Sequence, residues 1–148
     1  MASILLVAHD PLASALQAVA RHAFADCGRE LAAVNVPPSA TLEDAEAQIS
    51  AAVAALPGPE VLLLADVFGA TPCNAALNVA DGVRVRVVAG LNVPMLWRTL
   101  CYANLPLTEL VTRAVDGGRQ GLMQVASPRR QNQPKPPSSD DPDSNPDQ

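Results

Sequence analysis

A histidine and an aspartate each follow directly after a short apolar run. His9 comes after residues 4–8, and Asp66 comes after residues 61–65. Both runs have the length of a strand and no polar residue, which favours strands buried on both faces of a sheet. In a right-handed doubly wound sheet the first and third strands are typically neighbours. We therefore expect the imidazole and the carboxylate to meet at one edge of the sheet.

This pair suits transient phosphorylation of His9. An unprotonated imidazole is a good nucleophile near neutral pH. Asp66 would accept a hydrogen bond from one ring nitrogen, which fixes the tautomer and leaves the lone pair of the other nitrogen for an incoming phosphorus atom. Its negative charge would also stabilise the cationic ring of the phosphorylated form. Taken alone, each residue is also compatible with an ordinary solvated position after a strand.

A helix start follows this aspartate closely. The chain continues with Val-Phe-Gly-Ala-Thr-Pro, in which Thr71 suits a helix cap and Pro72 suits the first helical position. Backbone N–H groups without helical partners and the positive end of the helix dipole make such a start a site for anions. We expect Thr71, Ala70 and Gly69 to bind the phosphoryl oxygens, because phosphoryl transfer depends mainly on positioning and charge stabilisation.

The elements that would position these residues alternate between strand and helix. Further apolar runs predict strands at residues 31–36 and 83–89, and a short last strand at residues 122–125. Apolar residues recur at helical spacing between the runs. This alternation predicts an α/β fold with a doubly wound, mostly parallel sheet of four to five strands and helices on both faces.

Polar residues and prolines mark the ends of these helices. A Thr or Asp before the apolar pattern predicts a side-chain cap, and an acidic residue three positions later completes a capping box. The pair Gly117-Gly118 predicts the end of the last helix, because glycine is common just past a helix. The predicted starts are Asp10-Pro11, Thr41 with Asp44, Thr71-Pro72, Pro94 and Thr108.

Composition limits the class of protein. The 148 residues fit one domain, and 49% hydrophobic with 17% charged residues excludes a wholly disordered chain. A net charge of −5 without a basic cluster argues against nucleic-acid binding. Three separated cysteines exclude a disulfide framework and fit a reducing cytosol, so we expect a cytoplasmic protein. The short apolar runs predict neither a signal peptide nor membrane insertion.

The composition changes abruptly after Ala126. Residues 127–148 contain six prolines and no Val, Ile, Leu, Met or aromatic residue. A segment that cannot bury apolar surface cannot offset the entropy lost on ordering. We expect a folded domain over residues 1–126 and a disordered proline-rich tail over residues 127–148.

Four segments taken together resemble a known family. They are residues 4–9, which end at His9; residues 63–76, which carry Asp66; residues 89–96, which read Ala-Gly-Leu-Asn-Val-Pro-Met-Leu; and residues 117–121, which read Gly-Gly-Arg-Gln-Gly. In this order and at this spacing they resemble the mannose-type (mannose, fructose or sorbose) enzyme IIA domains of the bacterial phosphoenolpyruvate-dependent sugar phosphotransferase system. The resemblance covers residues 1–126, whereas the proline-rich tail is not part of the family pattern.

The resemblance implies a phosphotransferase that carries a phosphoryl group between proteins. His9 would accept it from phospho-HPr and pass it to a cysteine or histidine of a IIB component. Asp66 would orient the ring, and Thr71 would contact the phosphoryl group. The resemblance also implies a homodimer, often with an exchanged C-terminal strand, and it implies no metal or organic cofactor.

One departure from the family concerns the residue after the histidine. Family members usually carry Gly or another small residue there, whereas this chain carries Asp10. A carboxylate that faces the ring would repel the phosphoryl group and favour its loss or transfer. A carboxylate that points away would act only as a helix cap.

Two other functions share this arrangement of residues. One is the phosphodonor subunit of a dihydroxyacetone kinase, and the other is a regulatory module whose phosphorylation state controls a partner protein. Motifs of three further classes are missing from the chain. A response-regulator receiver needs a lysine after a late strand, whereas the only lysine is Lys135. The glycine-rich motif of dinucleotide-binding folds and the G-x-S-x-G motif of serine hydrolases are also missing.

Overall fold

The computed structural model describes residues 1–25 and 31–127. Strands and helices alternate along these residues, and two helices close the series. The elements are β1 (Ser3–His9), α1 (Leu12–Ala23), β2 (Leu31–Val36), α2 (Leu42–Ala55), β3 (Val61–Ala65), α3 (Thr71–Val79), β4 (Val85–Ala89), α4 (Val93–Cys101) and α5 (Leu107–Gln120). None of the helices in this part of the chain is long and apolar enough to cross a bilayer.

The strands form one parallel sheet with the order β2-β1-β3-β4. β1 lies between β2 and β3, so that Val7 is opposite Val34 on one side and Ala65 on the other. The predicted α/β fold is confirmed, including the pairing of the first and third strands. Because both strands are parallel and in this register, they end side by side at one edge of the sheet.

The central strand β1 is buried on both faces, as its continuous apolar run predicts. Ile4 and Leu6 belong to the core formed with α1, α4 and α5. Leu5 and Val7 belong to the core formed with α2 and α3. All four side chains are at most 1% exposed, and burial of each such side chain contributes about 1.5–3 kcal/mol. The helices therefore cover both faces, and β1 is firmly held up to the residue where it ends.

The capping box of α2 is confirmed. The hydroxyl oxygen of Thr41 accepts the N–H of Asp44, and the carboxylate of Asp44 accepts the N–H of Thr41, each at 3.1 Å. The side chains of Ala45 and Ile49 then lie on the buried face of the helix. The reciprocal hydrogen bonds fix where α2 begins, after the turn that follows β2.

The predicted cap at Asp10 is wrong. α1 begins at Leu12, and the residue before it, Pro11, makes no side-chain hydrogen bond that caps the helix. Instead, the N–H of Ser14 in the first turn donates to Oδ1 of Asn35 on β2, at 3.0 Å. The Asn35 amide in turn donates to the Ser14 hydroxyl at 2.8 Å. A residue distant in sequence therefore takes the role that the local pattern assigned to Asp10.

The predicted caps of α3 and α5 are also wrong. α3 follows Ala70 without a side-chain cap, so Thr71 is its first residue rather than the residue before it. α5 follows Pro106, again without a side-chain cap, so Thr108 lies within the first turn. Proline fixes a φ angle that suits the beginning of a helix. Both helices therefore begin one or two residues earlier than the threonines predict.

β4 is shorter than predicted, because its first residues form a turn. Oδ1 of Asp81 accepts the N–H groups of Val83, Arg84 and Val85 at 2.8, 2.8 and 2.9 Å. These hydrogen bonds lower the pKa of the Asp81 carboxyl. The strand begins at Val85 rather than Val83, since the preceding backbone N–H groups already point at the carboxylate.

The pair Gly117-Gly118 lies inside α5 and does not end it. A Cβ atom at Gly117 would lie 2.5 Å from Cβ of Arg98, and one at Gly118 would lie 2.8 Å from Cε of Met95. Both glycines are buried against α4. They allow the two helix backbones to approach each other, which a longer side chain at either position would prevent.

The predicted last strand is wrong for the single chain. Residues 122–127 have no strand or helix, and Leu122, Met123 and Val125 are 70–78% exposed. An apolar run forms a strand only where a sheet edge accepts it, and within residues 1–25 and 31–127 no strand pairs with this segment. The predicted tail lies outside the described residues from position 128 onward.

Candidate functional site

The ends of β1 and β3 bring His9 and Asp66 into direct contact. Nδ1 of His9 lies 2.6 Å from Oδ2 of Asp66. The same oxygen accepts the backbone N–H of His9 at 3.0 Å, and Oδ1 accepts the backbone N–H of Val67 at 2.8 Å. The two residues meet at the sheet edge, as the strand pattern predicts. Three hydrogen bonds fix the carboxylate, which in turn fixes one side of the imidazole.

The two side chains differ in exposure. The His9 side chain is 53% exposed, whereas that of Asp66 is 9% exposed. Burial raises the pKa of the Asp66 carboxyl, but the hydrogen bonds from the His9 backbone and ring and from Val67 outweigh it and leave this pKa below its ordinary value. Asp66 is therefore a negatively charged acceptor at neutral pH, and the ring that it holds is open to a large partner.

This contact determines which nitrogen of the His9 ring donates to Asp66. An ionised carboxylate can only accept hydrogen bonds, so Nδ1 of His9 carries a proton. In the neutral tautomer with this proton, the lone pair of Nε2 lies in the plane of the ring and points away from Asp66.

The loop after Asp66 leads directly into α3. Gly69 has a φ of +90°, a value that favours glycine, and it turns the chain into the helix. The carbonyl of Ala70 accepts the first helical hydrogen bond. The N–H of Thr71 therefore precedes the helical ladder, at the positive end of the helix. Thr71, Ala70 and Gly69 thus form the start of α3, five residues or fewer from Asp66 along the chain.

Cys73 shows that the first turn of α3 lies near the carboxylate. Burial raises the pKa of its thiol, the N–H of Gly69 lowers it, and the charge of Asp66 raises it further. The side chain is 1% exposed. Cys73 is therefore a packing residue with an un-ionised thiol.

The segment that connects β4 to α4 supports the site. The N–H of Leu91 donates to the carbonyl of Ala65, directly before Asp66, at 3.0 Å. Asn92 caps α4 by accepting the N–H of Met95 at 2.9 Å, and its amide donates to the carbonyl of Gly118 at 3.1 Å. Asn92 is not among the predicted site residues, although an Asn two residues before a Pro is a typical helix start.

Exposed apolar side chains lie within a few residues of the polar pair along the chain. Phe68 is 77% exposed and Val67 is 49% exposed, immediately after Asp66. Leu12, three residues after His9, is 41% exposed. These residues are not among the predicted site residues, because the alternation of strands and helices does not show which of these side chains point outward.

Comparison with protein families identifies the class to which this fold and site belong. Residues 3–115 match the EIIA-man family, described as “PTS system fructose IIA component”. The chain belongs to this family, and the resemblance found in the sequence is confirmed. Membership supports a phosphocarrier role in the sugar phosphotransferase system.

Two characterised relatives match shorter segments. The chain is 43% identical over 65 residues to the PTS system mannose-specific EIIAB component of Escherichia coli (strain K12), which covers 42% of this chain and 20% of that protein. It is 43% identical over 54 residues to the PTS system fructose-specific EIIA component of Bacillus subtilis (strain 168), which covers 35% of this chain and 37% of that protein. The matched segments thus span well under half of either relative.

Solved structures share the fold over most of the chain. The mannose/sorbose specific IIA subunit of the phosphotransferase system from Enterococcus faecalis has a TM-score of 0.75 and 25% identity, over 86% of this chain and 96% of that one. The phosphotransferase system component EIIA from Streptococcus agalactiae has a TM-score of 0.72 and 20% identity, over 84% and 97%. The fold is that of IIA domains throughout the described residues that these matches cover.

Proposed function

We propose that this chain is a phosphocarrier in which Nε2 of His9 accepts a phosphoryl group from phospho-HPr and passes it to a IIB component. The observation that carries the proposal is the contact of 2.6 Å between Nδ1 of His9 and Oδ2 of Asp66, on a ring that is half exposed. Family membership supports the same role. The hydrogen-bonded nitrogen faces the protein, so the other nitrogen faces the donor.

Each transfer is a displacement at phosphorus. The lone pair of Nε2 forms a new N–P bond, while the bond between phosphorus and the donor nitrogen breaks and its electron pair returns to the donor. The His9 ring thereby becomes cationic and keeps the proton on Nδ1. Asp66 stabilises this cation through the short hydrogen bond and its charge. Transfer to the IIB component repeats the step with His9 as the leaving group.

The start of α3 is the proposed binding site for the phosphoryl oxygens. Thr71 contributes its hydroxyl and N–H, and Ala70 and Gly69 contribute backbone N–H groups. The positive end of the α3 dipole adds to their attraction for the anion.

The apolar side chains around His9 form the proposed docking surface for the protein donor and acceptor. Phe68, Val67 and Leu12 are exposed within a few residues of the reacting pair. Exposed aromatic and aliphatic side chains beside a functional polar group are typical of protein interfaces. A small-molecule donor would not need a surface of this kind.

We also propose that two copies of the chain form a homodimer through the segment after α5. Leu122, Met123 and Val125 are exposed in the single chain. β4 is an edge strand of the described sheet, and a groove of about 530 Å³ beside it is lined by Leu77, Arg86, Val87 and Val111 among others. The segment of one copy would pair with β4 of the other and cover its apolar residues.

Analytical ultracentrifugation tests the dimer. The full chain is expected to sediment at twice the mass of one chain, and Leu122→Asp combined with Val125→Asp is expected to sediment as a monomer. Gln124→Asp is the matched control, because it adds a charge in the same segment without removing an apolar side chain. A monomeric wild-type chain would contradict the dimer and leave the phosphocarrier proposal untouched.

A phosphotransfer assay tests the proposed function. Incubation with phosphoenolpyruvate, enzyme I and HPr is expected to add one phosphoryl group that is labile in acid and stable in base. His9→Ala is expected to abolish the label, whereas His22→Ala, which removes the only other histidine, is expected to retain it. Labelling of the His9→Ala variant would refute the assignment.

A further inference from the structure

Most of the aromatic residues of the chain line a groove outside the proposed phosphoryl site. The sequence has four aromatic residues, and three of them, Phe24, Trp97 and Tyr102, line a groove of about 450 Å³ between α4, the last turn of α5 and the end of α1. The rings of Phe24 and Trp97 meet edge to face, with centroids 5.2 Å apart. A surface of this composition is suited to binding rather than only to packing.

Basic groups accompany these rings. Arg98 lines the groove and donates a hydrogen bond to Oε1 of Gln120 at 3.1 Å. The guanidinium carbon of Arg113 lies 4.4 Å from the centroid of the Tyr102 ring. Within the part of the chain that the structure describes, no acidic residue lines the groove. Its occupant should therefore combine a rigid apolar part with nearby negative charge.

The groove follows α4 from Pro94 to Tyr102. Eight residues of α-helix rise about 12 Å, which sets the length of the groove. Gly121, directly after α5, also lines it, and a Cβ there would collide with the Pro94 ring. The chain that continues from α5 therefore leaves the described domain at the Pro94 end of the groove.

We propose that the groove binds residues 134–137 of the same chain, which read Pro-Lys-Pro-Pro. Proline-rich segments with this P-x-x-P spacing bind aromatic-lined grooves as polyproline II helices. With three residues per turn and a rise of 3.1 Å, Pro134 and Pro137 lie on one face about 9 Å apart. The four residues thus match the length of the groove, and Lys135 lies on another face.

The length of the chain permits this return. Eight residues, 126–133, separate the residues proposed to pair with β4 from the proline segment, and eight residues with random-coil dimensions have a root-mean-square span of about 16 Å. That span exceeds the groove length estimated from α4. Because the linker is short, the effective concentration of the segment is in the millimolar range, and a weak contact suffices.

Charge favours the same segment. Asp140, Asp141 and Asp143 follow within six residues of Pro137, while Arg98 and Arg113 lie in or beside the groove. At about 3.1 Å per residue, Asp140 would lie about 9 Å beyond Pro137, which is roughly one Debye length. The inference does not depend on phosphoryl transfer, and the tail needs no core of its own to bind in this way.

Trp97 allows a direct test, because it is the only tryptophan of the chain. Acrylamide quenching of its fluorescence is measured on the full chain, on the variant Pro134→Ala with Pro137→Ala, and on the matched control Pro142→Ala with Pro146→Ala. The first variant is expected to steepen the Stern–Volmer slope by about 1.5- to 2-fold, since the rings lose their cover. The control variant is expected to keep the wild-type slope, and dilution of the protein is expected to change none of the slopes.

The other outcomes overturn the inference. Equal slopes in all three proteins would show that these prolines do not cover Trp97. An equal increase in both double variants would show that the P-x-x-P segment is not the occupant. A wild-type slope that rises on dilution would show that the tail of a second copy, rather than the same chain, fills the groove.

Discussion

The edge of the sheet at His9 and the contact between α4 and α5 are built by opposite means. At the edge, a buried carboxylate accepts hydrogen bonds from two backbone N–H groups and an imidazole. At the helix contact, Gly117 and Gly118 remove side chains so that backbones can approach. The first arrangement holds one exposed group in a fixed orientation, and the second provides a rigid support. Polar contacts therefore orient the side chains at the sheet edge, and the small size of glycine allows the two helices to pack closely.

Asn92 connects the two regions. Its side chain caps α4 and holds the carbonyl of Gly118 on α5. The residue before it, Leu91, donates its N–H to Ala65 at the end of β3. Asp66 follows Ala65 directly, so a change in the helix contact has a short covalent and hydrogen-bonded route to the site. Variants at the sheet edge are expected to change mainly phosphoryl transfer, and variants at the helix contact are expected to change mainly the unfolding free energy.

The largest expected effect is that of Asp66→Asn on transfer. The amide cannot supply the charge that stabilises the cationic ring. It also has one acceptor oxygen in place of the two that accept from the His9 ring, the His9 N–H and the Val67 N–H, so at least one of these groups loses its acceptor and the hold on the ring weakens. We expect phosphoryl transfer from phospho-HPr to slow by roughly 100-fold in rapid-quench kinetics, with the fold retained by circular dichroism.

Asp81→Asn is the matched control, because Asp81 also accepts several backbone N–H groups through its carboxylate but lies before β4 rather than after a strand. Its transfer rate should equal that of the wild type. A wild-type rate in Asp66→Asn would show that the aspartate does not orient the ring.

The second effect concerns the glycines of α5. Gly117→Ala would normally stabilise a helix by about 0.5–1 kcal/mol through its propensity alone. The added Cβ would lie 2.5 Å from Cβ of Arg98, however, and we expect a net loss of about 1–3 kcal/mol in urea-induced unfolding. An increase in the unfolding free energy of this variant would show that α4 and α5 are not in close contact.

A smaller effect is expected for the residue that joins the two regions. Asn92→Ala removes the cap of α4 and the hydrogen bond to Gly118, and we expect a loss of about 1–2 kcal/mol in unfolding free energy. Asn78→Ala, which removes one exposed hydrogen bond to Glu46, should change this free energy by less than about 0.5 kcal/mol. Equal losses in both variants would mean that Asn92 is an ordinary surface residue.

The smallest expected effect is a dependence of the unfolding free energy on pH. The pKa of Asp66 in the folded state lies below its ordinary value of 3.8, so the unfolded chain binds more protons between the two pKa values. The stabilising contribution of Asp66 is therefore present above pH 3.8 and is lost as the pH falls through the pKa of the folded state. In unfolding titrations, the difference between wild type and Asp66→Asn should shrink from pH 7 to pH 3. A stability difference between the two proteins that grows as the pH falls would contradict the expected direction of the pKa change.

The same contrast explains what the sequence could predict. The strands, their order around β1 and the meeting of His9 with Asp66 follow from continuous apolar runs and from the handedness of parallel connections. The start of α1 did not follow, because its cap is Asn35 from β2 and no local pattern contains that contact. The sequence alone predicts a helix end at Gly117 and Gly118, because glycine is common at such ends. Glycine is equally compatible with close packing inside a helix. Only the position of Arg98 and Met95 on α4 decides between the two.

The central claim is that Asp66 holds Nδ1 of His9 and leaves Nε2 to carry the phosphoryl group. Long-range ¹H–¹⁵N correlation spectra of the phosphorylated, ¹⁵N-labelled full chain measure this directly, because they distinguish the two ring nitrogens and show which one is bonded to phosphorus. We expect phosphorylation of His9 at Nε2, with the proton retained on Nδ1. Phosphorylation at Nδ1, or at His22, would contradict the claim.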